Sequence, residues 1–475
     1  MGDEKKKGSV QNRLPLRPAK MVDIYEESVT IHGVPKMIKP QLYSFRRPLW
    51  SLMLFGMVGG LAFLIYESLT KYYEYPINTE TRLEFNTQIQ FPTVTICNAN
   101  QFHLGRIPND RQLHELLFSL SDAYLLDVES GVDDASDDDN TTNDTRTYSG
   151  DDLHEFALRA AHRLEDMFLV CVWEGEVINC ADYFETVITD LGVCYSFNTN
   201  TSSPLMSHGS SSISGLRIMG TVEQDAYFFS AMTFAGLKVL LHESGSAPLM
   251  TSNGFVVSPG TTTLVNVRKQ KVIGLGSPFK AFGSDYCLDT NQKTLQRYKE
   301  YIYTQDTCEM NCLLDHLVKN CNCRNMFDKG TDKYCSLQEL NKCYIPKKAE
   351  TNYSAVFEKC DCPGRCIKEQ FPFAISVADF SNFMQSFLVN TAEMLSSESD
   401  VRENGFDLRI FYESSTVTVT EQKAQVTVET VFGNIGGNMG LFIGASILSL
   451  IELVEFLVAL MVSWRACPRS VSDVH

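Results

Sequence analysis

The chain has 475 residues, of which 44% are hydrophobic and 21% are charged. So large an apolar fraction can form a buried core and excludes disorder over most of the chain. The formal net charge of −17 excludes a general nucleic-acid binder, which needs a concentrated basic surface. A mean hydropathy of −0.12 excludes a protein with many membrane spans but is compatible with one or two.

Residues 1–47 form a basic segment, with ten Lys or Arg against five Asp or Glu. Residues 48–70 follow as an apolar run with no charge before Glu67, long enough to cross about 30 Å of hydrocarbon. The run begins too deep in the chain and continues too long for a cleaved signal peptide, which is the competing interpretation. The basic flank places the N-terminus in the cytoplasm. We therefore predict an uncleaved transmembrane helix.

Residues 71–435 alternate between apolar and polar positions too regularly for a disordered stalk. Period-two runs predict strands at residues 90–97, 237–241, 416–420 and 424–428. Helical spacing predicts helices at residues 109–124, 151–170, 292–302 and 306–319. We therefore predict a large folded domain that mixes strands and helices, and its last two strands are expected to lead into the second apolar segment.

Fourteen of the fifteen cysteines lie between residues 97 and 366, and only Cys467 lies outside this stretch. An even number in an acidic stretch predicts seven disulfides in an oxidising compartment. The alternative is a metal site at one of the two Cys-x-Cys pairs, but structural zinc sites usually separate paired cysteines by two to four residues. Four N-glycosylation sequons in the same part of the chain agree with an extracellular location. They are Asn140, Asn143, Asn200 and Asn352.

The second apolar segment, residues 436–464, is longer than a straight perpendicular helix requires, so it must tilt or break. The small triplet Gly444-Ala445-Ser446 favours a break, because non-helical backbone at membrane depth is tolerated only inside protein or along a water-filled cavity. The alternative is a glycine-rich packing face in a receptor anchor.

Two carboxylates in this segment favour the water-filled cavity. Glu452 and Glu455 are spaced i and i+3, and they share a helix face with Ser446 and Ser449. A carboxylate facing lipid costs about 2.5–3.5 kcal/mol, so this face should contact water or protein. The stripe predicts one wall of a cation pathway. Since one such helix cannot enclose a pore, we expect several copies around an axis.

Seven sequence motifs occur in the same order as in a known family. They are residues 30–33 (TIHG), 91–98 (FPTVTICN), 191–198 (LGVCYSFN), 236–243 (GLKVLLHE), 320–324 (NCNCR), 360–366 (CDCPGRC) and 433–446 (GNIGGNMGLFIGAS). An acidic run with Glu452 and Glu455 follows the last motif. Together with the motifs, it makes the chain resemble the degenerin / epithelial sodium channel / acid-sensing ion channel family. The resemblance extends from His32 to Glu455, and its last two motifs are highly specific.

The resemblance implies an α+β membrane protein that assembles as a homotrimer, with a hetero-trimer as the alternative. Two transmembrane helices would flank a large disulfide-rich extracellular domain with palm and β-ball sheets and a helical finger and thumb. The implied cytoplasmic segments are residues 1–47 and 465–475, and the implied transmembrane helices are residues 48–70 and 436–464. The extracellular domain would span residues 71–435. Within it, the finger would lie at about 98–170 and the thumb at about 285–366, with the palm and β-ball strands between them.

The resemblance also assigns roles to individual residues. It implies a selectivity filter at Gly444, Ala445 and Ser446, and a gating contact between Tyr73 and Phe282. The implied pore-lining residues are Gly440, Ser449, Glu452, Glu455, His32 and Gly33. The implied disulfides are Cys97–Cys194, Cys171–Cys180, Cys287–Cys366, Cys308–Cys362, Cys312–Cys360, Cys321–Cys343 and Cys323–Cys335.

The stimulus is where this sequence departs from acid-sensing members. Those members bring carboxylate pairs together, so that protonation relieves their repulsion. Lys347, Lys348 and Arg409 stand in the corresponding stretches here and would keep neighbouring carboxylates ionised. Proton gating through that pocket is therefore not expected. Gating at other groups stays an alternative, and the candidate histidines are His103, His114, His154 and His162.

We therefore predict a sodium-selective, amiloride-sensitive plasma-membrane channel opened by an extracellular ligand, with a short neuropeptide favoured. Both termini would lie in the cytoplasm. Proton gating and then constitutive activity are the alternatives, and a two-pass adhesion or receptor protein is the alternative from another class. Na⁺ would be the permeant ion, and no cofactor, resident metal or nucleic-acid partner is predicted. An enzyme is not expected, because the sequence has neither a nucleophile elbow nor a phosphate-binding glycine loop.

Overall fold

The structure is a computed structural model of the whole chain that describes residues 45–120, 148–228, 232–283, 285–289, 293–390 and 395–466. Within these ranges the side chains of residues 46, 47 and 463–466 are not described. Four predicted site residues lie outside the described residues, and their roles stay predictions: His32, Gly33, Asn140 and Asn143. The chain divides into a terminal unit, Met1–Asn78 with Ala424–His475, and a central unit, Thr79–Lys423.

Helices occur in both units. In chain order they are α1 (Arg46–Tyr73), α2 (Arg111–Ser119), α3 (Gly150–Ala160), α4 (Leu164–Met167), α5 (Cys180–Tyr183), α6 (Gln305–Cys321), α7 (Leu337–Glu339), α8 (Ile345–Glu350), α9 (Tyr353–Phe357), α10 (Asn382–Asn390), α11 (Glu398–Glu403), α12 (Val428–Ile443) and α13 (Ile447–Ala466). Several begin at a side-chain cap, which satisfies backbone N–H groups that lack a helical partner. Thr304, for example, accepts a hydrogen bond from the N–H of Thr307 at the start of α6.

The strands belong mainly to the central unit. They are β1 (Ile77–Phe85), β2 (Ile89–Gln90), β3 (Thr93–Asn98), β4 (Phe168–Trp173), β5 (Glu176–Ile178), β6 (Phe184–Thr189), β7 (Gly192–Phe197), β8 (Met206–Ser207), β9 (Gly215–Thr221), β10 (Leu237–His242), β11 (Phe255–Val257), β12 (Thr261–Ile273), β13 (Ile367–Gln370), β14 (Phe373–Asp379) and β15 (Gly405–Ala424).

Two large sheets organise these strands within the described residues. The eight-stranded sheet follows the order β13-β12-β15-β9-β4-β5, with β1 beside β15 and β14 beside β12. The five-stranded sheet follows the order β11-β10-β3-β7-β6, and β2 pairs with β8. The mixture of sheets with separate helices confirms the predicted α+β class.

The main core contains side chains from both large sheets. Phe91, Phe197 and Tyr412 are almost fully buried in it. The Phe91 ring lies 4.9 Å from the ring of Trp173 and 5.8 Å from that of Tyr412. Edge-to-face aromatic packing of this kind adds to the hydrophobic gain of burial. The two sheets are therefore held as one body.

A second core joins the predicted finger to the predicted thumb. Phe102 stacks on Phe156 of α3 at 5.8 Å and on Phe327 at 6.0 Å. Leu313 and Leu317 of α6 belong to the same buried cluster. The finger helices are thus anchored on the thumb helix by apolar packing.

Three sequence-based predictions of secondary structure are wrong. Residues 293–302 form turns rather than a helix, because the N–H of Arg297 bonds to the side chain of Asn311 and the segment packs its tyrosines inward. The helix predicted at 151–170 ends at Ala160, and β4 begins at Phe168, which the main core buries.

The third error concerns the expected strand at 424–428. Residue Val428 instead begins α12, because the Thr427 hydroxyl caps the N–H of Thr430. A β-branched, alternating sequence suits a strand, but the cap and the long apolar run beyond it favour a helix. The helix that leads to the predicted filter therefore begins earlier than residue 436.

Candidate functional site

The terminal unit contains the apolar helices of the chain. Pro48–Tyr73 is long and apolar enough to cross a membrane. Val428–Ile443 and Ile447–Val462 meet the same criterion together, as one segment bent by 73°. By length and composition, the described residues therefore provide one membrane span, or two if the bent pair is a single span.

The bend occurs at the predicted selectivity filter. Gly444 ends α12 with φ 61° and ψ 27°, a left-handed conformation that favours glycine. Its N–H bonds to the carbonyl of Gly440 at 3.1 Å, and the N–H of Ala445 bonds to that of Met439 at 3.3 Å. This is a helix C-cap, and a helix end leaves its last carbonyls without helical partners. Free carbonyls at this depth are suitable ligands for a hard cation.

The helix resumes after the triplet through a side-chain cap. The Ser446 N–H donates to the Ser449 hydroxyl at 3.1 Å, and the N–H of Leu450 donates to the Ser446 carbonyl at 3.3 Å. Ala445 and Ser449 are only 5% and 3% exposed. Ser449 thus stabilises the start of α13 from within the subunit, and its role in lining a pore stays a prediction.

The two carboxylates lie on α13, beyond the break. Glu452 is half-buried and Glu455 is exposed, as is Ser446 on the same helix face. Gly440, on the other side of the break, is also exposed. These exposed groups fit a surface that other copies of the chain would complete, because the cost of a lone lipid-facing carboxylate is high.

A close helix contact in the terminal unit was not predicted from the sequence. A Cβ atom on Gly60 of α1 would lie 2.8 Å from Cε1 of Phe442, directly before the filter. Glycine at this position allows the two helices to approach closely. The Gly59-Gly60 pair within an apolar run was the available signal, but it did not identify the partner.

In the central unit, polar contacts hold β15 near its end. Gln422 donates from Nε2 to the carbonyl of Ala281 at 2.8 Å and accepts from the N–H of Leu275 at 3.3 Å. The loop that it holds includes Phe282. The predicted contact of Phe282 with Tyr73 joins residues of different units and stays a prediction.

Ion pairs connect β1 with the end of β15. Arg82 pairs with Glu421 and, at 2.9 Å, with Glu84, while Lys423 pairs with Glu80 at 2.7 Å. The hydrogen bond from Arg82 lowers the pKa of the Glu421 carboxyl. The charge of the Glu421 carboxylate is therefore balanced by a basic partner.

Arg409 pairs with a buried carboxylate of the eight-stranded sheet, and its role in keeping neighbouring carboxylates ionised stays a prediction. It donates to Asp407 at 2.8 Å, and Arg217 on the neighbouring strand donates to the same carboxylate at 2.8 Å. The Asp407 side chain is 3% exposed. Two charged donors thus satisfy this buried carboxylate with charge-assisted hydrogen bonds.

The thumb contains a buried acid that the sequence did not reveal. Burial raises the pKa of Asp328, and a hydrogen bond from the Tyr344 hydroxyl opposes this shift. Burial likewise raises the pKa of Tyr344. Lys347, on the same stretch, pairs with Glu350 at 3.8 Å. This stretch is therefore not an exposed pair of facing carboxylates.

The finger histidines have partners in the fold. His162 is buried and bonds through Nδ1 to Glu223 at 2.7 Å, and the ring of His103 lies 5.2 Å from it. Burial lowers the pKa of His103, and the Glu223 charge opposes this shift. His154 stacks on Tyr334, and His114 bonds to the carbonyl of Pro108. Packing is sufficient to account for these positions.

The fourteen cysteines between residues 97 and 366 all lie in the described part of the chain and form seven disulfides. They are Cys97–Cys194, Cys171–Cys180, Cys287–Cys366, Cys308–Cys362, Cys312–Cys360, Cys321–Cys343 and Cys323–Cys335. These are the pairs that the resemblance implies. The sequons Asn200 and Asn352 are exposed, and the amide oxygen of each accepts backbone N–H groups of the following turn; their glycosylation stays a prediction.

The chain is similar to curated channels over most of its length. It is 29% identical to acid-sensing ion channel 1 of Gallus gallus, over 94% of this chain and 85% of that protein. It is 29% identical to acid-sensing ion channel 2 of Mus musculus, over 93% and 86% of the two chains. Acid-sensing ion channel 1A of Danio rerio gives 29% identity over 94% and 89%.

A solved proton-activated chloride channel overlays with a TM-score of 0.31 and 8% identity, covering 88% of this chain and 97% of that one. Values this low do not establish a common fold. The family model described as amiloride-sensitive sodium channel matches residues 25–456. That match covers the broken helix, the disulfide-rich domain and the first apolar helix, and its members are ion channels rather than enzymes. The chain belongs to the amiloride-sensitive sodium channel family.

Proposed function

We propose that this chain forms a homotrimeric, sodium-selective and amiloride-sensitive channel of the plasma membrane, with both termini in the cytoplasm. An extracellular ligand opens it, and a short neuropeptide is the favoured class. The observation that carries the proposal is the helix break at Gly444-Ala445-Ser446, with Glu452 and Glu455 beyond it. Non-helical backbone and carboxylates at membrane depth are tolerated when they line a water-filled path.

The selectivity step is argued from the backbone. Carbonyls freed by the break would replace part of the hydration shell of Na⁺, and the small side chains of the triplet would allow three copies to approach one axis. The carboxylates on α13 would raise the local cation concentration below this constriction. His32 and Gly33 would line the lower path.

Recording from cells that express the chain tests this proposal. We expect a sodium current blocked by amiloride, and Ser446→Ala should change the ratio of Na⁺ to K⁺ permeability. Ser68→Ala in α1 is the matched control and should leave this ratio unchanged. No amiloride-sensitive current under peptide, acid or alkaline challenge would contradict a ligand-gated homotrimer. A hetero-trimer would then be tested by coexpression with related subunits.

Proton gating is the second candidate because the similar curated proteins are named acid-sensing ion channels. The ion pair of Arg82 argues against it, since the hydrogen bond from Arg82 lowers the pKa of the Glu421 carboxyl. A rapid acid step that opens the channel without added peptide would favour protons instead. A current that needs neither stimulus would favour constitutive activity.

A two-pass adhesion or receptor protein remains the alternative from another class. In such a protein the carboxylates of α13 would contact a partner helix, and no conductance would depend on them. Loss of surface assembly in Glu452→Gln, with no ion current in either form, would favour this alternative.

A further inference from the structure

The central unit contains a cavity lined by strand, loop and helix residues. Its volume is about 730 Å³. Its walls come from β10 and the loop that follows it, from the first residues of α6, and from residues 364–373. We name it the junction cavity, because strand, loop and thumb helix meet there. Its volume is in the range of sites that bind small organic ligands.

One part of the wall is apolar. Leu240 and Leu241 of β10, Leu249 of the following loop, and Phe371 and Phe373 near β14 contribute to it. Leu249 and Phe371 are buried, so this part of the wall is packed into the folded domain. Of these side chains Phe373 is the one that is partly exposed, and an apolar side chain of a ligand would gain hydrophobic free energy by covering it.

The charged lining divides into paired and unpaired groups. Arg365 holds Glu243 with two hydrogen bonds, at 2.6 and 3.2 Å, and Lys269 pairs with Glu369 at 2.8 Å. These pairs are neutral overall. In the described part of the chain, by contrast, Lys238 has no ion-pair partner.

Two further charges complete the unpaired set. Asp306, in the first turn of α6, also lacks an ion-pair partner among the described residues. Lys368 lies with its ammonium 5.1 Å from the centre of the Phe282 ring, which is a cation–π contact rather than an ion pair. The cavity thus presents two cations and one anion for which a ligand could supply partners. A ligand with one carboxylate and one basic group would match them.

The cavity wall continues into the loop that β15 holds. Gly364 packs against the Phe282 ring, and its carbonyl accepts from the N–H of Leu288 at 2.8 Å. The carbonyl of Ala281, next to Phe282, accepts from Gln422 near the end of β15. A ligand that draws Lys368 away from Phe282 would therefore change the packing of the loop that β15 holds.

We propose that the junction cavity is the agonist site and that its agonist is a short peptide with a free carboxylate, a basic group and an apolar side chain. The carboxylate contacts Lys238 and Lys368, the basic group contacts Asp306, and the apolar side chain covers Phe373. This proposal rests on the proposed function, since it names the ligand class of the same channel.

Binding to the purified full-length protein tests the ligand class. The probes are two pools of synthetic tetrapeptides that each contain Arg and Phe, one pool with free carboxylates and the other amidated. We expect the free-acid pool to bind and the amidated pool to bind about tenfold more weakly, because a charge-assisted contact is lost. Lys238→Gln and Asp306→Asn should each weaken binding of the free-acid pool about tenfold.

Lys299→Gln is the matched control, because Lys299 is exposed and lies outside the cavity lining. It should leave binding unchanged. If neither pool binds, or if Lys238→Gln and Asp306→Asn bind as tightly as the native chain, the proposed agonist site is wrong. Equal binding of both pools would overturn the free carboxylate as the recognised group.

A tethered probe tests coupling to the pore without a peptide. Ser252 is exposed on the cavity wall, and Ser252→Cys can be modified with a negatively charged methanethiosulfonate reagent. We expect the adduct to change the amiloride-sensitive current severalfold, whereas the same reagent on the native chain should not. If the channel conducts but its current does not change when the adduct forms, the cavity proposal is wrong and the proposed channel function is not affected. Peptide binding by a purified chain that never conducts overturns the proposed channel function and leaves the binding site standing.

Discussion

The central and terminal units are stabilised by different kinds of interaction. The described disulfides all lie in the central unit, together with buried ion pairs such as Arg217–Asp407. The filter region of the terminal unit is shaped instead by one left-handed glycine and a few backbone hydrogen bonds. Covalent and buried contacts give a body that moves as a whole, whereas single hydrogen bonds exchange easily. The predicted selectivity filter therefore lies in the more weakly held part of the protein.

Removing a long-range disulfide should have the largest effect on stability. Cys287 and Cys366 are 79 residues apart, and losing their bond by C287A/C366A should lower the free energy of unfolding by about 4 kcal/mol. The control C171A/C180A opens a span of 9 residues and should cost less, under about 3 kcal/mol. Denaturant unfolding of the purified chains measures both. Equal losses in the free energy of unfolding would show that the length of the closed loop does not determine how much each disulfide stabilises this unit.

A half-buried histidine should make the central unit sensitive to acid. Burial lowers the pKa of His242 from 6.5 to about 4. Between these values the unfolded chain binds a proton that the folded chain rejects, so stability should fall as the pH drops from 6.5 toward 4, by about 3 kcal/mol in total. The ring is fixed by Thr95 and Ser246, at 2.9 Å each.

Unfolding measured at pH 7 and at pH 5 tests this sensitivity. His242→Gln should be less stable at pH 7 but should lose less stability on acidification than the native chain. His208→Gln is the control for the substitution itself, because that side chain is 58% exposed. An unchanged acid slope in His242→Gln would contradict the assignment.

In the terminal unit, Gly444→Ala should cause only a modest loss of stability but a large loss of ion selectivity. A residue with a Cβ at φ 61° costs about 1–2 kcal/mol, which would shift the filter carbonyls. Reversal potentials in Na⁺ and K⁺ solutions measure the change. Gly56→Ala is the control, since Gly56 lies in α1 with no atom within 4 Å of the added Cβ. Retained selectivity in Gly444→Ala would show that the left-handed turn is not needed.

The exposed ion pair between β1 and β15 should have the smallest effect. Arg82→Gln and Glu421→Gln remove one partner each, and exposed pairs are screened by salt. A double-mutant cycle on thermal unfolding should give a small coupling at low salt that disappears at high salt. A coupling that persists at high salt would mean that this pair is shielded from solvent in the assembled protein.

The break in the second apolar segment could be predicted because length and small residues act locally. Gly444 lies within an apolar run that is too long for one straight span, so the helix must tilt or break. The start of α12 at Val428 was missed, because its β-branched sequence favours a strand and only the Thr427 cap reverses that preference.

Contacts between distant residues needed more than the sequence pattern. Only the family resemblance indicated that Arg409 lies near carboxylates, and nothing in the pattern joined Arg217 to Asp407. The contact of Gly60 with Phe442 likewise depends on how two helices cross. The disulfide pairing also required the resemblance, because fourteen cysteines allow very many connectivities. Chain topology, rather than local propensity, decides all of these.

The amide of Gln422 has a consequence for which residue types this position accepts. Its nitrogen donates to Ala281 and its oxygen accepts from Leu275, so the same side chain must supply both a donor and an acceptor. A carboxylate of equal length could keep only the bond from Leu275 and would repel the carbonyl of Ala281. Spontaneous deamidation of Gln422 to Glu would therefore remove the hydrogen bond to the Ala281 carbonyl. The loop that contains Ala281 would then lose one of its two contacts with this side chain.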